Sequence, residues 1–187
     1  LNMPFSAFLS PVALRLSLLV LAALVGVGAA RAELLAPFKD ELFAYPRALA
    51  VADGGRHVAV DYQSQRDIHG RDEIPERRAR AAYVDLGPRR SQRELVVATE
   101  VARVPHVAVG RAQNARFIVL YLYGQGGNRM QGMNDYTFGG NFNRIKNLAE
   151  RNGGLYLTTD FSDFGATGAR QVASLISYYA TSSPGAR

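Results

Sequence analysis

Directly after an apolar run from Phe117 to Tyr123 (FIVLYLY), the sequence continues Gly124-Gln125-Gly126-Gly127-Asn128. Three glycines in five residues let a chain turn sharply and aim main-chain N–H groups at one point, because glycine reaches positive φ and leaves no side chain in the way. The chemistry that such a turn serves is the holding of a negatively charged oxygen. If FIVLYLY is a strand of a parallel sheet, the turn stands at its carboxyl end, where open α/β sheets bind their ligands.

Other residues of suitable type fit their chemistries less well. A dinucleotide site would use Gly124-Gln125-Gly126-Gly127-Asn128-Arg129, but Arg129 occupies the third glycine position. The following helix is also expected more than ten residues too late to offer its N-terminus to a pyrophosphate. No Gly-Lys-Ser/Thr occurs, which removes a P-loop. Asp67, His69, Asp72 and Glu73 in RDIHGRDE could in principle meet a metal, yet no spacing fixes them on one face, and a charged solvated hairpin accounts for them. No metal and no cofactor is expected. His57 and His106 sit in strand-like apolar context and read as structural residues, while Asp160 and Asp163 read as caps or loop residues.

The elements that would position the glycine turn fall into two regions. From Glu41 to about Val109 short β-like stretches dominate: ELFAY, Arg56 to Gln63, Ala81 to Leu86 and Glu94 to Val101. Turn signals separate them at Asp53-Gly54-Gly55, His69-Gly70 and Gly87-Pro88. This predicts an antiparallel meander over 33–109, with the polar segment between the second and third stretches projecting as a hairpin or loop. From 110 to 187 the pattern changes. FIVLYLY, apolar at every position and rich in β-branched and aromatic residues, reads as a strand buried on both faces and central in a parallel sheet. Phe142, Ile145, Leu148 and Ala149 recur at helical spacing, with Asn141 to cap the start and Gly153-Gly154 to end the helix. Leu155 to Asp160 reads as a second buried strand. Val172, Leu175, Ile176 and Tyr179 mark one face of a last helix, ended by Ser183-Pro184-Gly185. The fold class is therefore α/β, with antiparallel N-terminal strands followed by parallel strands and flanking helices.

Length and composition agree with one such domain: 187 residues, 48% of them apolar, suffice for one buried core. Leu14 to Ala30 is an apolar run closed by Ala30-Arg31-Ala32, which predicts a signal peptide over 1–32 and export to the periplasm or beyond. The run is shorter than the ~20 residues of a spanning helix, so no membrane anchor is expected after cleavage. The absence of cysteine excludes a disulfide framework. Of the 22 Lys and Arg, only Arg15 and Arg31 fall in the leader and no acid does, leaving a formal +4 against 16 acids. That modest excess, with the arginines of Arg66 to Arg93 interleaved by Asp67, Asp72, Glu73, Glu76 and Asp85, speaks against nucleic acid as a partner.

Taken together, the meander, FIVLYLY, the glycine turn, a helix, a strand ending in Asp160 and a further helix resemble the first half of an α/β-hydrolase. In that family the loop after the third strand usually opens with His-Gly and supplies one N–H of the oxyanion hole. Tyr123-Gly124 stands there in this chain. The resemblance thus implies Gln125 and Gly126 as main-chain oxyanion donors, with Gly124, Gly127 and Asn128 shaping the substrate side of the loop. It implies hydrolysis of an ester-type small-molecule substrate by a serine nucleophile. No Gly-x-Ser-x-Gly occurs, however, and His57, His69 and His106 all precede the turn, whereas the family's order is Ser, acid, His. The expectation is a hydrolase fragment that is inactive by itself, with the place of a fifth strand beside FIVLYLY left open. The alternative is an exported non-catalytic α/β binding module.

Overall fold

The computed structural model describes residues 35–45 and 47–187; the signal peptide expected over 1–32 lies outside them. After a single helical turn, α1 (Asp40–Phe43), a hairpin joins β1 (Ala48–Ala52) to β2 (His57–Val60). Its turn is Asp53-Gly54-Gly55, the glycines at φ 63° and 87°. Another helical turn, α2 (Ser64–Asp67), precedes the short antiparallel pair β3 (Asp72–Ile74) and β4 (Arg78–Ala79). The main sheet follows: β5 (Arg93–Ala98), β6 (Arg103–Gly110), β7 (Ile118–Tyr121) and β8 (Leu155–Thr159). Helix α3 (Asn141–Arg151) joins β7 to β8, and α4 (Ala166–Ser182) follows β8. Among the described residues no helix is long and apolar enough to cross a membrane.

The sheet order is β5-β6-β8-β7, antiparallel except for the parallel pair β7–β8. Alternation along the strands sends side chains to two separate cores. Val104 and Ala108 of β6, Leu155 and Leu157 of β8 and Ile118 and Leu120 of β7 face Leu175 and Tyr179 of α4. Val107 and Val109, Tyr156, and Phe117, Val119 and Tyr121 face Ile145 and Ala149 of α3. The two helices therefore cover opposite faces. All five residues of β8 are buried, so this strand, flanked on both sides and covered on both faces, is the centre of the fold. Burial of Leu155, Tyr156 and Leu157 is worth about 1.5–3 kcal/mol per large apolar side chain.

Several sequence expectations need correction. FIVLYLY is not central in this sheet: it lies at the edge, where only β8 pairs with it as a strand, in line with the open place expected beside it. Its apolar character on both faces comes from the two helices, which cover an edge strand as well as a central one. ELFAY is not a strand, since Asp40–Phe43 forms a helical turn whose Phe43 is buried beneath Arg71 and Arg144. Ala81–Tyr83 is a 3-10 turn. The single meander over 33–109 is three separate pieces, a hairpin, a two-strand ribbon and the β5–β6 half of the main sheet. Arg103–Gly110, not recognised as a strand of its own, is a well-buried one. The polar segment 64–80 does not project. Asp67, Arg71 and Asp72 are buried, Ala79 donates to the Tyr136 carbonyl at 2.8 Å, and Arg71 reaches the Asn141 side chain at 3.0 Å. Its charges can be buried because they are paired locally, Asp67 accepting from Arg66 and from the Gln63 amide.

Candidate functional site

The glycine turn closes as a hydrogen-bonded β-turn, the Gly127 amide donating to the Gly124 carbonyl at 3.0 Å. Gly126 has φ 80°, the left-handed conformation that the third residue of a type II turn requires. Gly127 is needed for space: a Cβ there would lie 2.9 Å from Cβ of Tyr123 and 3.1 Å from the Gly124 oxygen. Gly124 and Gly126, by contrast, have nothing within 4 Å of such an atom and open outward. Among the described residues no acceptor takes the amides of Gln125 or Gly126. Asn128 acts locally, its side chain accepting from the Met130 amide at 2.9 Å and capping the 3-10 turn Arg129–Met133.

The segment beyond the turn is bolted to the carboxyl end of β8. Asp160 accepts from the Arg129 amide at 2.7 Å and pairs with the Arg129 guanidinium, which also reaches Glu94 of β5 at 3.3 Å. The two carboxylates hold the Arg129 guanidinium, already fully charged, in that form, with Asp160 the stronger influence. Thr158 donates to the Arg129 carbonyl and Tyr156 to the Gly132 carbonyl, each at 2.8 Å. Further along, Asp135 and Lys146 form a buried pair at 2.6 Å. Lys146 also donates to the Met133 carbonyl, Asn143 to Asp135, and Arg89 to the second oxygen of Asp135. Burial opposes the charge of both partners. It holds Lys146 below its ordinary value, while Lys146, Asn143 and Arg89 together outweigh it at Asp135 and keep that carboxyl low. Both groups are thus satisfied, as buried charges must be.

An aromatic wall stands beside the turn. Tyr123 stacks on Phe161 at 4.8 Å with planes 15° apart, and Phe164 meets both rings edge-on. Beyond it an apolar groove runs between Leu122 and the first half of α4, lined by Phe164, Val172, Ala173 and Ile176. Val172 and Ile176, expected on the buried face of that helix with Leu175 and Tyr179, line this groove instead, with Ile176 exposed.

No serine-histidine pair is assembled among the described residues. Ser162 donates to Asp163 at 2.9 Å, and Asp163 in turn caps the start of α4 through the Gly165 and Gly168 amides. These three donors, the serine hydroxyl first, hold the Asp163 carboxyl low. His106 is buried against α4 with both ring nitrogens engaged, Nδ1 with the Val104 carbonyl and Nε2 with the Tyr179 hydroxyl at 2.7 Å. His69 lies 4.0 Å from Asp72 and 3.7 Å from Glu76, and His57 is on the exposed β1–β2 hairpin. Asp67, His69, Asp72 and Glu73 do not assemble a metal-binding group among the described residues.

Of the residues singled out in the sequence, Gly124, Gln125, Gly126, Gly127 and Asn128 do come together at one exposed turn, and Asp160 supports it. The Asp135–Lys146 pair went unread. Its signal was present: Lys146 stands four residues after Phe142 and three before Ala149, within the same helical stripe, and a lysine there requires a buried partner. No protein-family model, no curated protein and no solved structure matches the chain.

Proposed function

We propose that this chain carries the oxyanion-binding half of an exported α/β-hydrolase of the serine-hydrolase type, one acting on ester-type substrates. The observation that carries the reading is the pair of unpartnered amides, Gln125 and Gly126, on a rigidly supported turn at the carboxyl end of β7. Preorganised N–H donors of this kind stabilise the charge that develops on a carbonyl oxygen under attack. Loss of one typically costs about 10²- to 10³-fold in kcat. The order of elements also supports it: antiparallel strands, a strand, the glycine turn, a helix, a strand reaching Asp160, then a helix. The positions of Gly124, Gly127 and Asn128 leave the open side of the turn to a substrate, and the aromatic wall of Tyr123, Phe161 and Phe164 offers an apolar acyl group a surface.

The nucleophile, acid and histidine are not among these residues, so the chain by itself is expected to bind and not to turn over. The alternative, an exported non-catalytic binding module, shares the turn and differs in never having had a nucleophile beside it. A titration with butyrate, followed by amide NMR, tests the site. The Gln125 and Gly126 amides should shift first and furthest, and p-nitrophenyl butyrate should hydrolyse at the buffer rate. Shifts centred elsewhere, or hydrolysis above buffer, would overturn the reading.

A further inference from the structure

We propose that the cleft beside the Asp135–Lys146 pair binds the phosphate group of a small phosphate monoester, with Arg89 as its principal cation. The inference stands whatever the glycine turn binds, because only Met130 lines both recesses. The cleft lies between the 3-10 turn Gly87–Arg90 and the segment 130–136. It measures about 530 Å³, within the ~300–1,000 Å³ of small-molecule sites.

Charge is the first observation. Asp135 is buried with both oxygens taken, Oδ1 by Lys146 and Asn143 and Oδ2 by Arg89 Nε at 2.8 Å. One acid against two bases leaves one positive charge, and no other acid lines the cleft. Lys146 neutralises Asp135 from within the core, so the surplus sits on Arg89, whose side chain is half-exposed. Asp135 also fixes the Arg89 guanidinium by its Nε, while among the described residues no acceptor takes Nη1 or Nη2. A guanidinium anchored on one side with its Nη groups open is preorganised to meet an oxyanion with two parallel N–H bonds.

The other polar groups of the cleft are donors. The Asn134 side-chain oxygen accepts from the Tyr136 and Thr137 amides at 2.9 and 3.2 Å. Those two bonds fix which end of the side-chain amide is oxygen and leave its NH2 directed away from them, without an acceptor among the described residues. Gln92, held beside Arg89 by a main-chain bond to the Arg89 carbonyl, has no side-chain partner among the described residues, so its amide can turn its NH2 inward. Three donor groups thus border one cleft whose single carboxylate is already satisfied.

The ligand follows from that count. A carboxylate presents two oxygens, whereas a phosphate monoester presents three and carries about −1.5 to −2 at pH 7. Arg89, Asn134 and Gln92 can therefore each take an oxygen. The fourth oxygen carries the ester group, for which exposed Met130 and buried Met133 offer an apolar, adaptable surface.

The test titrates the full chain with inorganic phosphate and with phenyl phosphate, read from the side-chain N–H signals of Arg89, Gln92 and Asn134 by NMR. These signals should move first and saturate. Phenyl phosphate should bind about fivefold or more tightly than inorganic phosphate, through burial of its ring on the methionines. Asn134→Asp keeps the oxygen that holds the Tyr136 and Thr137 amides but puts a negative charge where the donor was. It should weaken phenyl phosphate about tenfold or more. Arg89→Gln leaves Asp135 paired with Lys146 and should abolish binding, with amide signals away from the cleft unchanged in both variants. Undiminished affinity in either variant overturns the proposal, as does inorganic phosphate binding as tightly as phenyl phosphate. So does a response centred on Gln125 and Gly126, no response at tens of millimolar ligand, or equal movement at the exposed Arg56 and Arg170, which would mark attraction to surface charge alone.

Discussion

Arg129 meets Asp160 twice, through its main-chain amide at 2.7 Å and through its guanidinium, so that one carboxylate fixes the loop after β7 to the end of β8. β7 and β8 are parallel neighbours joined by α3, and their carboxyl ends lie side by side. The glycine turn is therefore anchored at one end by the strand and, two residues past Gly127, by a neighbouring strand's acid.

Asp160→Ala removes both bonds. It should destabilise the protein by about 1–3 kcal/mol, the cost of losing hydrogen bonds to a charged group, and accelerate amide exchange across 124–133. Urea denaturation and residue-resolved exchange measure the two effects. Unchanged exchange at Gly127 and Gln131 would show that the turn does not depend on this anchor.

The glycines of the turn should respond unequally. Gly124→Ala meets nothing within 4 Å and should shift stability by less than about 0.5 kcal/mol. Gly126→Ala meets no atoms but must hold φ 80°, at a cost of about 1–2 kcal/mol. Gly127→Ala drives Cβ against Tyr123 and the Gly124 oxygen, so the turn itself must move, and the butyrate response at Gln125 should disappear. Denaturation midpoints together with the NMR titration rank the three. An order with Gly124 worst would contradict the geometry.

Asp135→Ala leaves Lys146 buried and uncompensated and should cost about 3–5 kcal/mol. Asp135→Leu combined with Lys146→Met should recover a large part of that loss, since an apolar pair of similar volume has no charge to desolvate. Because native Asp135 is held below its unfolded value, its stabilisation is complete above the unfolded carboxyl range. It is lost as pH falls through the lowered native value. Acid unfolding of Asp135→Leu/Lys146→Met should accordingly be less steep than that of the parent chain.

His106 contributes a second pH dependence with a different window. Burial, the dominant influence, lowers its native value below the unfolded 6.5. Above 6.5 the ring is neutral in both states and stability is flat. Below it the unfolded chain takes up a proton that the native one refuses, so stability declines as pH falls toward the lowered native value. His106→Gln should flatten the curve below about pH 6.5. Its partner Tyr179, pushed up by burial to about 12, shares the alkaline side with Tyr156 and Tyr121, which burial also raises. Stability should fall as pH rises above 10, where the unfolded phenols ionise first, and Tyr179→Phe should lessen that decline. Chemical denaturation at stepped pH measures both limbs.

Periodicity alone was enough to place α3, β8 and α4 and to locate the glycine turn after an apolar strand, because helical and strand repeats are local properties of the chain. The five residues of the candidate site are consecutive, so their proximity was legible too. What the sequence could not state was neighbourhood. FIVLYLY reads as buried on both faces, and Ile118–Tyr121 is half-buried with Leu122 exposed, because apolar character on two faces says nothing about whether both edges are paired. That depended on β8 inserting between β6 and β7, a pairing of residues about fifty and forty positions apart. Likewise the charges of Arg71 and Lys146 look solvated one by one. Only the partners that folding brings from other elements, Asn141 for Arg71 and Asp135 for Lys146, make their burial tolerable. Turn chemistry and face are written in neighbouring residues, whereas sheet order and the pairing of buried charge arise from contacts distant along the chain, and there tertiary structure decides.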